Sequence, residues 1–98
     1  MFDKIKGLME MQKKMQQAKR ELESTAFEVA SPDGLVKLTM NGSQEVRALT
    51  IQGELTEARK QALEQALKDV YNKAIKRSQD IAAAKMKEIT GLNIPGLS

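Results

Sequence analysis

Along the first two dozen residues, apolar side chains recur at Leu8, Met11, Met15, Ala18 and Leu22, separated alternately by three and four positions. That interval keeps one stripe of a helix apolar and is the spacing of helices that pack lengthwise on a partner. Ile5 precedes the stripe and no proline interrupts it, so the pattern predicts a helix over about residues 2–24. Beyond Thr25 the period falls to two. Phe27 and Val29 alternate with Glu28 and Ala30; Val36, Leu38 and Met40 alternate with Lys37 and Thr39; Leu49 and Ile51 share one side of a third run. Ser31-Pro32-Asp33-Gly34 supplies a turn after the first run, and Asn41-Gly42 after the second is the strongest short hairpin signal. The expectation is a meander of three antiparallel strands over about 26–31, 35–41 and 45–52, each with one face toward a core.

The helical period returns after Gly53. Thr56 reads as an N-cap with Glu57 in the favourable first turn. An apolar face then runs from Ala62 and Leu63 through Val70, Tyr71 and Ala74 to Ile89, predicting a helix over about 56–90. Gly91 and Pro95 stop it and leave a short tail over 91–98. The order α-β-β-β-α defines an α+β protein, a single domain over residues 1–98 in which two long helices flank the sheet. A helix of about 35 residues is about 50 Å long, whereas strands of 5 to 9 residues span about 17–30 Å. The second helix must therefore overhang the sheet. Its outer residues Ile81, Ala82, Met86 and Ile89 need cover from the first helix or from a second copy of the chain. A homodimer is expected, with Leu8, Met11, Met15 and Leu22 and the outer residues Ile81, Met86 and Ile89 as candidate interface positions.

Composition then removes most catalytic options. The 98 residues include no cysteine and no histidine, which excludes disulfides, Cys/His zinc sites, thiol nucleophiles and Ser-His-Asp triads together. Carboxylates are scattered along charged helix faces, no glycine-rich phosphate loop is present, and Tyr71, lying within an apolar pattern, reads as core. No enzyme activity, cofactor, metal or small-molecule substrate is expected. The N-terminal run is charged throughout, without the apolar centre of a signal peptide, and no apolar run approaches the roughly 20 residues of a membrane span. A cytoplasmic location with no membrane partner is the expectation.

Charge is more informative. Sixteen Lys and Arg oppose 13 Asp and Glu, for a net charge of +3. The excess is uneven: residues 1–25 carry +2, residues 26–54 carry −2 and residues 55–98 carry +3. Lys6, Lys13 and Arg20 repeat every seven residues, which places them in a row with neighbours roughly 10 Å apart, opposite the Leu8–Leu22 stripe. Lys14 is adjacent. On the second helix Lys73, Lys76 and Arg77 lie within about a third of the circumference, away from Leu63 and Leu67. Solvated helix faces and a polyanion site both fit this pattern. For a polyanion, duplex DNA is favoured over single strands, because three aromatics (Phe2, Phe27 and Tyr71) are too few for a stacking platform. No helix-turn-helix, zinc finger or basic-zipper signature appears, so binding would be directed to the backbone with little sequence selectivity.

The chain resembles the YbaB/EbfC family of bacterial nucleoid-associated proteins. The resemblance rests on the first-helix run from Leu8 to Ala18, on Gly34-Leu35-Val36-Lys37-Leu38-Thr39-Met40-Asn41-Gly42, on Leu49-Thr50-Ile51, and on Tyr71-Asn72-Lys73-Ala74. It covers almost the whole chain. It departs where the family usually continues its third strand as Ile-Asp-Pro-x-Leu, for here Ile51-Gln52-Gly53-Glu54-Leu55 stands. The resemblance implies an α-β-β-β-α protomer, a tweezers-like homodimer with projecting helices, and binding to double-stranded DNA in the nucleoid with effects on DNA conformation and gene expression. Two other classes stay open on the residues alone: a prefoldin-like chaperone subunit that holds unfolded clients, and a structural helical adaptor. Basic helix ends carrying Lys85 and Lys87 argue against the client-holding class, whose tips should be apolar or acidic.

Overall fold

A computed structural model of the protein describes residues 2–90. Helix α1 (Phe2–Ser24) leads into strands β1 (Ala26–Ala30), β2 (Val36–Asn41) and β3 (Val46–Ile51), and helix α2 (Lys60–Thr90) follows a single 3-10 turn at Glu57–Arg59. The strands form one antiparallel sheet in the order β1-β2-β3. Each strand is slightly shorter than its apolar run suggested, because the end residues close turns instead of extending the ladder. The expected helix stop at Gly91 and Pro95, with the tail over 91–98, lies outside the described residues.

Direct pairing of Phe27 with Met40, Val29 with Leu38, and Leu38 with Leu49 aligns the apolar residues on one face, as period-two side chains require. Helix α2 lies on that face and sets Ala66, Val70 and Ala74 against Phe27, Val36, Leu38 and Met40 to form the buried core. The small residues on α2 let the helix approach the sheet closely. The opposite face carries Glu28, Lys37, Thr39 and Thr50, with Lys37 and Glu28 3.9 Å apart in an exposed ion pair.

Three expectations need correction. First, β3 does not share the core: every residue from Val46 to Ile51 is exposed. Helix α2 covers the β1 and β2 columns, and one helix is too narrow to cover a third. Second, Asn41-Gly42 is not a two-residue turn. Asn41 is the last residue of β2 and pairs with Ala26, and the positive φ of the connection falls at Gln44 (φ 63). The β2–β3 register slips between Thr39 and Met40, which leaves Arg47 as the extra residue of a bulge. Third, Thr56 is extended (φ −111, ψ 159) and makes no side-chain cap hydrogen bond. Its carbonyl instead accepts from the Arg59 N–H at 3.1 Å, which is why the helix opens with a 3-10 turn.

The β2–β3 connection joins the whole protein. Asn41 Nδ2 donates to the Glu23 carbonyl at 3.1 Å and to Glu45 Oε1 at 2.9 Å. Asn41 Oδ1 accepts from the Ser43 and Glu45 N–H groups. Ser78, fully buried on α2, donates to the Asn41 carbonyl at 2.9 Å and accepts from the Gln44 N–H at 3.1 Å. The Gly42 N–H donates to the Leu22 carbonyl at 2.9 Å. One short loop thus satisfies groups at the end of α1 and in the middle of α2.

Candidate nucleic-acid interface

The elements set the positions of the cations. Helices α1 and α2 run antiparallel where they meet. Leu22 and Ile81 flank Gly42, Lys85 reaches Glu21, and Ala18 and Ile89 line one groove. Ala18 is buried by this contact, and Leu22, Ile81, Met86 and Ile89 are half-buried. The first helix therefore supplies much of the cover for the end of α2 that the overhang demanded. Leu8, Met11 and Met15 lie further toward the start of α1 and stay exposed.

Lys6, Lys13 and Arg20 are all exposed. Lys6 and Lys13 stand on the side of α1 opposite Ala18 and Leu22, and so point away from α2; Arg20, at the end of the row, also borders an open groove with Glu21 and, from α2, Lys85 and Glu88. Lys73 and Lys76 are also exposed, on the side of α2 opposite Lys85 and Ile89, and so point away from α1. The structure groups each set on its own helix but does not bring the two sets onto one face of the protomer. Arg77 lies 4.9 Å from the centre of the Phe27 ring, a cation–π contact that holds its guanidinium over the edge of β1. Lys14 belongs elsewhere, in the groove with Glu21, Lys85 and Glu88.

Ion pairing separates the cations further. Among the described residues, Lys37, Arg47 and Lys85 are paired with carboxylates. Lys6, Lys13, Arg20, Lys73 and Lys76 have no such partner, so their charge is available to an external anion. Lys85, which sequence reasoning counted toward a basic tip, sits 2.6 Å from Glu21 and 3.4 Å from Glu88. The hydrogen bond and charge of Lys85 pull the Glu21 carboxyl below its ordinary range. Glu21, by the same hydrogen bond, lifts the Lys85 ammonium above its own range. This trio is a clamp between helices. It contributes no free positive charge.

Sequence reasoning missed a second surface. Val46, Leu49 and Ile51 pair with Met40, Leu38 and Val36 and so share the core face of the sheet, yet they are 37–49% exposed. Tyr71, expected in the core, is 48% exposed. It lies on the flank of α2 with Leu67 and Ile75, opposite the flank of Ala62 and Arg77 that borders β1. That flank faces β3. The signal was legible in principle: Leu63, Leu67, Tyr71 and Ile75 beside Ala66, Val70 and Ala74 make an apolar arc wider than one sheet contact needs. Among the described residues no group of His, Cys, Asp and Glu could hold a metal ion, and no helix is long and apolar enough to cross a membrane.

The same architecture occurs in the crystal structure of an uncharacterized protein from Helicobacter pylori. The two share a TM-score of 0.78 at 22% identity, over 93% of this chain and 98% of the other. The family model of the YbaB/EbfC DNA-binding family matches residues 1–93, and the chain belongs to that family. A nucleoid-associated protein of Gloeothece citriformis is 41% identical over 96% of this chain and 90% of its own. One from Clostridium acetobutylicum is 30% identical over 95% and 85%.

Proposed function

We propose that the protein is a homodimeric nucleoid protein that binds duplex DNA mainly through its phosphates, with little sequence selectivity and with effects on DNA conformation and gene expression. Membership of a DNA-binding family supports the partner. The observation that carries the mode of binding is the set of exposed cations without carboxylate partners: Lys6, Lys13 and Arg20 on α1, and Lys73 and Lys76 on α2. Their charge is the recognition chemistry, since none of the five is neutralised by a carboxylate among the described residues of the protomer. Neighbours in the α1 row are about 10 Å apart, and duplex phosphates are about 7 Å apart along each strand, so the row can follow a backbone without strict register. The nucleoid is then the location in the cell.

The dimer is proposed to form on the uncovered β3 face. Val46, Leu49 and Ile51 are exposed on the core face of β3, and Tyr71 is exposed on α2; exposed apolar residues grouped in this way mark an interface. This places the dimer contact on the sheet, whereas the helix ends named from sequence are partly spent on the contact between α1 and α2. Leu49→Asp should yield a folded monomer by sedimentation, since the side chain is half exposed and lies outside the buried core of the protomer. A variant that remains a dimer sinks this assignment.

Titration of a random-sequence duplex against salt tests the function. Affinity should fall linearly on a log–log plot with a slope of about −0.9 per phosphate contacted, and random and selected duplexes should differ by less than about tenfold. Insensitivity to salt, or strong preference for one site, refutes the proposal. Suppression of client aggregation without a duplex shift would favour the chaperone reading instead.

A further inference from the structure

The clamp between α1 and α2 uses only half of the α1 stripe. Ala18 and Leu22 pack toward Ile81 and Ile89, while Leu8, Met11 and Met15 remain 72%, 44% and 39% exposed. These three continue the same three-and-four spacing, so they form an open coiled-coil seam. Lys4, the next seam position, ends the apolar run. Such a seam on a projecting helix is an interaction surface, and its flanking residues indicate what fits it.

We propose that this seam pairs antiparallel with the same seam of a second dimer, Leu8 of one arm packing over Met11 of the other, and so links neighbouring dimers on DNA. This rests on the duplex-binding function proposed above. In that register the positions beside the seam bring Ile5 over Gln12 and Gly7 over Lys14, with no like charges opposed. Sliding the arms toward their C-terminal ends sets Lys14 against its own copy, so charge selects the first register. Lys6 and Lys13 then point outward from both arms and stay free for phosphate. In this register Met15 lies over Lys4 of the other arm, so only Leu8 and Met11 of each arm pack on apolar side chains, a contact far below the roughly 1,200 Å² that a stable association buries in total. Dimers therefore stay separate in dilute solution and pair when DNA raises their local concentration. The arms act as the source of cooperativity.

The absence of natural cysteine allows a direct test. Separate preparations carrying Leu8→Cys and Met11→Cys are mixed on a long duplex and oxidised, with Gln16→Cys as the off-seam control. A disulfide joining the two kinds of chain, in a native particle of four chains, is expected, at a yield at least about tenfold above the control. The same mixture at high protein concentration without DNA should crosslink more slowly but with the same pairing, which tests the arms even if duplex binding fails. Met11→Gln should bind a duplex short enough for one dimer within about twofold of the parent, yet lose cooperativity on a long one. Crosslinking no better than the control while the short duplex is still bound overturns the pairing alone. So does a crosslinked particle of only two chains, which would put both arms in one dimer. So does efficient crosslinking only after residues 91–98 are removed, which would make the chain's own end the cover of the seam.

Discussion

Gly42 shows how one residue can join three elements. A Cβ there would lie 2.9 Å from Leu22 Cδ2, 3.1 Å from the Leu22 carbonyl and 3.2 Å from Ile81 Cγ2. Its φ is not positive, so glycine is required for space and not for backbone conformation. Gly42→Ala should therefore cost about 1–3 kcal/mol through overpacking, seen as a lower urea midpoint with an unchanged slope. Gly7 is the contrast. It has open space around its Cβ position in a helix, and Gly7→Ala should raise stability by up to about 1 kcal/mol. Ser78→Ala would remove the hydroxyl that accepts from the Gln44 N–H and donates to the Asn41 carbonyl. The Gln44 N–H keeps its own bond to the Asn41 carbonyl at 3.2 Å, so the cost should be about 0.5–1.5 kcal/mol by the same measurement.

At the scale of elements, the contact between α1 and α2 is held by charge as well as by Ala18 and Leu22. Glu21 titrates below its ordinary 4.5 because Lys85 hydrogen-bonds to it and attracts it. A depressed carboxyl binds protons less tightly when folded, so its contribution is present above the ordinary carboxylate range and is lost as pH falls through the lowered value. Lys85 titrates above its ordinary 10.5, so its contribution is present below that value and is lost as pH rises through the raised one. Between those limits the clamp is fully charged. Lys85→Gln should narrow the drop in melting temperature between about pH 7 and about pH 3 relative to the parent. Part of the drop should remain, because the Asp33 carboxyl is also lowered, by the Ser31 hydroxyl and the Leu35 N–H that hydrogen-bond to it in the β1–β2 turn. Hydrogen exchange along α1 at acidic pH would locate the loosening.

Over the whole molecule, an elongated form of 68 × 25 × 14 Å spreads a modest net charge along its helices, and the proposed dimer would present it twice. Replacing Lys13 and Arg20 together by Gln keeps helix propensity nearly unchanged and leaves the apolar stripe intact. The expected result is unchanged melting and dimer mass, with weaker duplex binding and a shallower salt slope. Lys73 and Lys76 changed to Gln test the α2 set in the same way. Because the two sets lie on different helices and share no ion-pair partner among the described residues, their effects on binding free energy should be close to additive.

The local pattern of side chains determined the elements by itself. Periods of three to four and of two distinguish helix from strand because they reflect which side chains can share a face, and that geometry needs no partner. It also determined the row Lys6, Lys13 and Arg20, whose spacing is a property of one helix. Only the tertiary structure decided which apolar faces are covered. Leu49 and Ile51 carry the same alternation as Leu38 and Val36, but α2 crosses the columns of β1 and β2 and leaves theirs open. Likewise Lys85 and Lys73 look alike along the chain, and only the packing of α1 against α2 brings Glu21 to one of them. Burial and ion pairing depend on residues distant in sequence, so periodicity within one element does not carry that information.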